Sequence, residues 1–293
     1  MDVQVREVTH SDRDDMMEIS RHTWGGHDYM PHVFDDWLSD PDSHVVGIEV
    51  DGHIVALTNL RLVDAGRTGW MEGLRVHPRY RKKGLARILT KHLVEMGSTL
   101  GVTRLRYTTG TDNTASLRLA EEFGMHRVFD MGVFWREAIS RIKYEKRATL
   151  AIIAPQHLYS MLQTSQDLVP NGAVIYDWKA LDATLANLEK IAAFCEIWAE
   201  VKDGMLVSFS FGMKRKELAA TEWCFTIYAH DSRGFTSHLS HHLKRAKEGK
   251  YRTISGIYSP EFQRTVSRLS WIPKTEKGFT LTLVEKDILP MTE

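Results

Sequence analysis

The sequence predicts a mixed α/β (α+β) fold over roughly its first 140 residues, followed by a second α/β half. Strand-like and helix-like hydrophobic patterns alternate in the order β-α-α-β-β-β-α-β-α-β. Asp51-Gly52, between two strand-like runs, is a strong signal for a two-residue β-hairpin. The second half carries helix and strand patterns without Gly- or Pro-rich linkers, which favours a second packed unit.

Each element of the first half has a local cause. Residues 3–8 alternate apolar and polar side chains, and Ser11 or Asp12 can cap the helix that follows. A loop leads to a short helix that ends before Pro41. The same patterns predict the remaining elements: a hairpin over 44–63, a strand over 68–78, a helix over 81–101, a strand over 102–109, a helix over 114–124 and a strand from 126.

Composition restricts the class of protein. The 293 residues contain 38 Lys plus Arg and 38 Asp plus Glu, so no overall charge favours nucleic acid or an anionic membrane. Cys195 and Cys224 are too few for a disulfide framework, and the N-terminus has no signal-peptide pattern. The longest apolar run, 150–154, is too short to span a bilayer. We therefore expect a reduced, soluble, cytoplasmic protein without a nucleic-acid or membrane partner.

The second half resembles the first in rhythm. Residues 104–125 and 250–272 both follow the order strand, polar loop, capped amphipathic helix and closing hydrophobic pair. This indicates a diverged internal repeat, although two unrelated α/β halves can share such a rhythm. We expect one domain over residues 1–140 and another over 148–293.

The stretch RYRKKGLA, residues 79–86, gathers positive charge where a strand gives way to a helix. Backbone amides at a helix N-terminus are unpaired and attract phosphate oxygens. Gly84 permits a sharp turn and close approach of a ligand, while Arg81, Lys82 and Lys83 add charge. The turn is thus a candidate phosphate site, with a solvated basic turn as the alternative.

The segment EGLRVHPRYRKKGLA, residues 72–86, resembles the acetyl-CoA motif of the GNAT superfamily of N-acetyltransferases. DNTASLRLAEEFGM, residues 112–125, resembles a second motif of that family. The resemblance implies a central mixed, mostly antiparallel sheet flanked by helices, a degenerate second GNAT-like half, and acetyl-CoA as co-substrate without a metal. It implies these cofactor-binding residues: Leu74, Arg75, Val76, Arg81, Lys82, Lys83, Gly84, Leu85, Ala86, Asn113 and Ser116.

Acetyl transfer needs a deprotonated amine and a proton for the leaving thiolate. Glu72 occupies the strand position where many family members carry a general base; the alternative is a strand carboxylate paired with an arginine. The family's usual proton donor is a tyrosine at a position that is Ala120 here. Either another hydroxyl supplies the proton, with Tyr107 and Tyr29 as candidates by their placement, or the thiolate leaves by way of water.

The loop RHTWGGHDYMPHVF, residues 21–34, lies where the family sets acceptor specificity. Trp24 and Tyr29 are candidates for walls of an acceptor pocket and Asp28 for a partner of a cationic amine, although both aromatics can equally serve packing. Histidines 22, 27 and 32 do not share one helix face, so we expect no metal site. The run HLSHH, residues 238–242, is expected to be a solvated helix face.

A narrower resemblance, through the same loop and the longer C-terminal half, is to vertebrate acetyltransferases whose acceptor is the α-amine of free L-histidine. It implies a small-molecule amine as partner, with Arg75 or Arg61 available for the acceptor's carboxylate. The alternatives are a peptide or protein N-terminal acetyltransferase and a non-catalytic acyl-CoA-binding scaffold. The second half lacks the basic glycine turn, so we expect it to bind no CoA.

Overall fold

The computed structural model describes residues 3–26, 28–143, 150–215, 222–272 and 278–288, without the side chain of Trp24. Its strands are β1 Gln4–Glu7, β2 Ser43–Val50, β3 His53–Val63, β4 Thr68–Val76, β5 Arg104–Gly110, β6 His126–Glu137, β7 Ala151–Ile152, β8 Ala173–Tyr176, β9 Lys179–Asp182, β10 Glu196–Lys202, β11 Met205–Arg215, β12 Glu222–Ala229, β13 Thr253–Tyr258 and β14 Phe279–Asp287. Its α-helices are α1 Arg13–Arg21, α2 Met30–Ser39, α3 Leu85–Thr99, α4 Thr114–Glu122, α5 Pro155–Leu162, α6 Leu185–Ala192, α7 Ser232–Glu248 and α8 Gln263–Ser267.

The α-helices and strands from β1 to β6 follow the order that the hydrophobic patterns predict, and the mixed α/β class is confirmed. The predicted hairpin joins β2 to β3. Asp51 and Gly52 have φ angles of 52° and 81°, the two left-handed residues that a type I′ turn requires. Among the described residues, no helix is long and apolar enough to cross a bilayer.

The described chain forms two compact units, of which the first contains Met1–Tyr107, Thr114–Arg127 and Val284–Glu293. In this unit β1, β2, β3 and β4 are antiparallel neighbours, and β5 is parallel to β4. The C-terminal end of β14 follows β5 in the sheet. Because β4 and β5 are parallel, α3 connects them as a crossover helix.

Both faces of this sheet are covered. Val45 and Val46 are consecutive on β2 and therefore point to opposite faces. Val45 belongs to the core cluster that includes side chains of α1 and α2. Val46 belongs to the cluster that includes side chains of α3 and α4. The helices thus flank the sheet in two layers, as expected.

The second unit contains Thr108–Asn113 and Val128–Leu283. Its sheet runs in the order β6-β13-β12-β11-β10-β7, with the start of β14 beside β6. Here β12 and β13 are parallel and joined by α7, the same β-α-β crossover that β4, α3 and β5 form in the first unit. The shared connectivity agrees with the predicted internal repeat.

Each unit includes a strand from the far part of the sequence. Val284–Glu293 belong to the first unit, whereas β6 pairs with β13 in the second. The amide of Ile288 donates to the carbonyl of Thr103 at 2.8 Å, and its side chain is buried in the first unit's core. The units are therefore not contiguous segments, and the domain bounds 1–140 and 148–293 stay a prediction.

If the C-terminal end is part of the first unit's core, Ile288→Ala should lower the free energy of unfolding by about 2–5 kcal/mol, the usual cost of truncating a buried isoleucine. Ile152→Ala removes the same atoms from a side chain that is 59% exposed and should cost far less. Urea unfolding of both variants measures the difference. Equal losses would show that residue 288 is not part of a core.

Candidate functional site

A β-bulge in β4 shapes the centre of the first unit. The β3–β4 register changes between Leu57 and Asn59, which leaves one extra residue on β4. Gly73 lies at this point with φ of 71°, and a Cβ atom there would lie 2.5 Å from the ring of Trp37. Glycine is required both for the backbone angle and for the close approach of the indole.

Beyond the bulge β4 separates from β5. Their described pairing covers only Thr68–Trp70 of β4 and Arg104–Arg106 of β5. The edge of β4 that includes Leu74 and Val76 is thus not paired with β5, in keeping with a strand-like ligand beside it. In the structure the carbonyls of Leu74 and Val76 accept bonds from the side chains of Arg75 and Arg81, both at 3.2 Å.

The N-terminus of α3 has no side-chain cap. Gly84 is the N-cap residue, with φ of 80°, and the Ile88 amide donates to the Gly84 carbonyl at 3.1 Å. The amides of Leu85 and Ala86 lie within the first turn, before an intrahelical acceptor is available. A Cβ atom on Gly84 would meet no atom of the chain within 4 Å. The turn therefore presents backbone donors to an open space.

Basic residues surround this helix end. Arg81, Lys82 and Lys83 are exposed, and Lys82 has a left-handed φ of 60°. The Lys83 ammonium lies 5.0 Å from the centre of the Tyr80 ring. Two left-handed residues in a loop that opens a helix form a concave donor surface typical of anion sites. The backbone geometry that a phosphate-binding turn requires is thus present at residues 81–86.

Glu72 lies on β4 with a nearly buried side chain. Its Oε1 accepts a hydrogen bond from Asn59 Nδ2 at 3.0 Å, and the Arg61 Nε lies 3.3 Å away. Asn59 is fully buried. The sequence analysis left the alternative of a carboxylate paired with an arginine open, and this pairing exists. It holds the carboxylate in one orientation and does not decide whether Glu72 also accepts a proton.

Tyr107 and Ser116 are hydrogen-bonded to each other. The Tyr107 hydroxyl donates to the Ser116 carbonyl at 3.1 Å and accepts from the Ser116 Oγ at 3.2 Å. Burial raises the pKa of Tyr107, so its proton is retained at neutral pH. The roles of Tyr107 as acid and of Ser116 in cofactor binding stay predictions.

Asp28 has a partner that the sequence analysis did not assign to it. Its carboxylate accepts two hydrogen bonds from the Arg75 guanidinium, both at 3.0 Å, and its side chain is 1% exposed. The Tyr29 ring lies 5.4 Å from the same guanidinium. Asp28 and Arg75 thus neutralise each other, because a buried charge requires a counter-charge. A role of either in binding an acceptor stays a prediction and would require this pair to open.

The structure describes only some of the remaining predicted residues. Asn113 belongs to the second unit, where its Nδ2 donates to Thr109 Oγ1 at 2.9 Å. Leu85 is buried and Ala86 half-buried on α3. The side chain of Trp24, and His27, lie outside the described residues.

The expectation of a solvated face over residues 238–242 is wrong. His238 and His242 are fully buried on the side of α7 that faces the sheet of the second unit. The sequence run does not show this because α7 is amphipathic, and His238 and His242 share its buried side with Phe235 and Leu239.

A directed chain of hydrogen bonds makes this burial possible. The Trp223 indole donates to His242 Nδ1 at 3.2 Å, so the neutral ring carries its proton on Nε2 and donates to Ser210 Oγ at 2.8 Å. Ser210 then donates to His238 Nδ1 at 2.6 Å, and His238 Nε2 donates to Ser208 Oγ at 3.0 Å. Burial lowers the pKa of His238 to about 3, and that of His242 is also lowered.

Comparison with known proteins agrees with the fold. Residues 13–125 match the acetyltransferase (GNAT) family, so this segment is a GNAT acetyltransferase domain. Residues 151–256 match the family described as histidine N-acetyltransferase, C-terminal. The chain therefore combines these two domains, as the sequence resemblance implies.

Curated relatives match part of the chain. A human protein named "Probable N-acetyltransferase 16" is 26% identical over 212 residues, which are 64% of this chain and 55% of that protein. A histidine N-acetyltransferase of Scomber australasicus is 26% identical over 206 residues, 64% of this chain and 61% of its own length. One from Oreochromis niloticus is 35% identical over 94 residues, 32% of this chain and 28% of its own length. The chain spans less than two thirds of each relative.

Solved structures share the fold along nearly the whole chain. A GCN5-related N-acetyltransferase of Sphaerobacter thermophilus has a TM-score of 0.66 at 15% identity, covering 99% of this chain and 97% of its own. A tandem GNAT protein from the clavulanic acid biosynthesis pathway has a TM-score of 0.61 at 13% identity, covering 99% and 100%. At such identities the likeness concerns the fold alone.

Gly84→Ala should weaken acetyl-CoA binding at least about tenfold, because the new methyl group projects into the open space at the helix end and strains the loop. Gly66→Ala is the matched control: Gly66 has φ of 81° and equally open surroundings, in the turn between β3 and β4. Calorimetric titration gives the affinities, and thermal unfolding gives the common cost of strain. An unchanged affinity in Gly84→Ala would contradict the phosphate assignment.

The buried imidazoles predict acid sensitivity. An unfolded histidine takes up a proton near pH 6.5, whereas folded His238 does so only near pH 3. Between pH 3 and pH 6.5 the unfolded chain therefore binds more protons than the folded chain. The contribution of His238 to the free energy of unfolding is complete above pH 6.5 and decreases as the pH falls below that value. His238 alone should contribute a loss of roughly 2 kcal/mol at pH 5, and His242 adds to it.

Urea unfolding at pH 7.5 and pH 5 measures this loss. His238→Gln keeps a neutral polar side chain that takes up no proton, so the loss should shrink by roughly 2 kcal/mol. His10→Gln, at an exposed histidine, is the control and should leave the loss unchanged. If His238→Gln and wild type lose stability equally, the buried imidazole is not the cause.

Proposed function

We propose that this protein is an acetyl-CoA-dependent N-acetyltransferase acting on the α-amine of a free amino acid, with L-histidine as acceptor. One observation carries the proposal: the uncapped N-terminus of α3 follows, after the basic turn 77–84, the edge of β4 that has separated from β5. The first feature suits the pyrophosphate and the second suits the extended pantetheine arm. The match to the acetyltransferase (GNAT) family supports the same assignment.

The residues of this region fit acetyl-CoA. The amides that follow Gly84 and the ammonium groups of Lys82 and Lys83 supply donors and positive charge for phosphate oxygens. The backbone of Leu74 to Val76 supplies amide donors for the amide groups of pantetheine. The thioester supplies the activated acyl group, and the protein supplies position and proton transfer.

Glu72 is the candidate proton acceptor. An amino acid reaches the site mainly as the ammonium form, which cannot attack a thioester until it loses a proton. The Glu72 carboxylate, held by Asn59 and Arg61, is oriented to accept that proton directly or through water. We propose that Asn59 and Arg61 act as positioning residues for this carboxylate.

The Glu72–Arg61 pair also favours a zwitterionic acceptor. Arg61 lies 3.3 Å from Glu72 and 3.6 Å from Asp40, so an ammonium that binds Glu72 displaces the closer of its two carboxylates and leaves the guanidinium with Asp40 alone. A free amino acid brings a carboxylate that can pair with Arg61 at the same time, whereas a peptide N-terminus brings only the cation. This supports the free amino acid over the peptide alternative. The histidine N-acetyltransferases of Oreochromis niloticus and Scomber australasicus, to which the chain is similar, support histidine among amino acids.

We further propose that the second unit binds no CoA. The N-cap residue of α7 is Asp231, whose carboxylate accepts from the Gly234 amide at 2.7 Å. The position of an anion is thus taken by the chain's own carboxylate. In addition, β12 is paired with β13 from Glu222 to Ile227, so these residues of β12 offer no free strand edge to a ligand. In the first unit, by contrast, β4 is paired with β5 only over Thr68–Trp70.

The acceptor class can be tested by following thiol release from acetyl-CoA with four amines: L-histidine, L-histidinamide, a histidine-initiated dipeptide and L-leucine. We expect L-histidine to be the best substrate. L-Histidinamide should lose at least about tenfold in kcat/KM, because this acceptor has no carboxylate that Arg61 could bind. In Arg61→Gln the preference for the acid over the amide should disappear.

Other outcomes point to the alternatives. Faster turnover of the dipeptide than of L-histidine would identify a peptide N-terminal acetyltransferase. Stoichiometric acetyl-CoA binding without turnover of any amine would favour a non-catalytic acyl-CoA scaffold. A preference for the acid that persists in Arg61→Gln would remove Arg61 from acceptor binding.

Glu72→Gln keeps the shape and the bond from Asn59 but removes proton acceptance, so kcat should fall about 10²–10⁴-fold. The loss should shrink at higher pH, where more acceptor amine is already neutral. Glu49→Gln is the control, since Glu49 is another strand carboxylate of the same unit paired with an arginine, Arg6, at 2.5 Å. Wild-type kcat across pH in Glu72→Gln would return Glu72 to a structural role.

A further inference from the structure

Three potential ligand groups meet beside the first unit's basic turn. Glu18 lies in α1 and His22, four positions later, is the C-cap residue of that helix, so the two side chains share a face. His77 is the first residue after β4 and the N-cap residue of the short 3₁₀ turn Pro78–Tyr80. Within the part of the chain that the structure describes, this is the only group of three His, Cys, Asp or Glu side chains whose donor atoms are close enough for one metal ion.

The distances approach those of a coordination sphere. His22 Nε2 lies 3.2 Å from Glu18 Oε1, and His77 Nε2 lies 4.0 Å from the same oxygen. All three donor atoms lie within 4.8 Å of one another. Ligand atoms of a tetrahedral zinc ion are about 3.4 Å apart, so one pair is already near that spacing. His77 Nε2 and Glu18 Oε1 have to approach by about 0.6 Å, and the two histidine nitrogens by at most about 1.4 Å. Glu18 and His22 are 43% and 44% exposed and can make this movement.

We propose that Glu18, His22 and His77 bind a divalent transition-metal ion of the zinc class, with two imidazole nitrogens, one carboxylate oxygen and an open fourth position. Imidazole and carboxylate donors suit zinc and its neighbours and do not suit magnesium, which prefers oxygen donors. None of the three ligands is Glu72, Arg61 or a residue of the α3 N-terminus, so the metal site does not depend on the proposed function.

The protonation of His77 is compatible with metal binding. Burial, and secondarily the nearby His22, lower the pKa of His77, so the neutral form that binds a metal is the main one at neutral pH. His77 Nδ1 accepts a bond from the Arg79 amide at 3.3 Å. Metal binding through Nε2 moves the ring proton to Nδ1 and removes this acceptor. The ion therefore has to compete with the cap of the turn that leads into Arg81–Gly84.

This proposal differs from the expectation of no metal site. That expectation considered only whether His22, His27 and His32 share a helix face. His77 is 55 positions from His22 in the sequence, and only the packing of α1 beside the end of β4 brings the two rings to 5.6 Å. Spacing in the sequence gives no signal for such a group.

The proposal can be tested on the tag-free, full-length chain treated with a chelator and then titrated with ZnCl₂ at pH 7.5. We expect one high-affinity Zn²⁺ ion per chain by calorimetry, and visible absorption bands when Co²⁺ replaces zinc in a site of low coordination number. Glu18→Gln and His22→Ala should each weaken the affinity at least about tenfold, and the Co²⁺ bands should disappear. Because both side chains are half-exposed, both variants should fold like wild type without metal.

His53→Ala is the matched control. His53 Nδ1 lies 3.0 Å from an Asp15 oxygen, so this variant removes a surface histidine–carboxylate pair without a third ligand. Its zinc affinity should be that of wild type. The proposal is overturned if wild type binds no stoichiometric Zn²⁺, if Glu18→Gln and His22→Ala bind it as tightly as wild type, or if Mg²⁺ competes at equal concentration.

Discussion

The unsatisfied amides at the start of α3 are the constraint around which the first unit is arranged. A helix end without a cap is normally a cost to the folded chain. Here Gly84 and Lys82 both adopt left-handed backbone angles, and for Lys82 that conformation costs about 1–2 kcal/mol. Leu85 and Leu89 hold α3 in the core next to this loop, so packing elsewhere maintains a strained and uncapped turn. Such an arrangement is understandable where an anionic ligand supplies the missing partner.

The two units show how one crossover can serve two purposes. In the second unit Asp231 supplies the partner internally, and the strands on either side of α7 remain paired. The two units also differ in the side chains between the crossover helix and the sheet. α7 contacts its sheet through histidines that are hydrogen-bonded to Ser208 and Ser210, whereas α3 packs with leucines. A fully bonded buried network is rigid, because every lost bond leaves a polar group unpaired. The second unit is therefore better suited to a fixed structural role than to ligand binding.

Features that depend on neighbours in the sequence were predictable. The Asp51-Gly52 turn, the order of elements and the glycine at the start of α3 all follow from local rules. Contacts between distant residues were not. Asp28 and Arg75 lie 47 positions apart, and nothing in either segment indicates that they form a pair. The membership of Val284–Glu293 in the first unit and the group at His77 are non-local in the same way.

The charged residues near β4 share one property with consequences for the acceptor. Asp28 is paired with Arg75 and Glu72 with Arg61, so both nearly buried carboxylates have an internal counter-charge. A ligand with a single charge can bind such a pair only by separating its two members, after which Arg61 still has Asp40 at 3.6 Å. A ligand with both charges exchanges one ion pair for two and leaves neither residue unpaired. Because Glu72–Arg61 is the less buried of the two pairs, we infer that it opens for the acceptor while Asp28–Arg75 stays closed and holds the loop before α2.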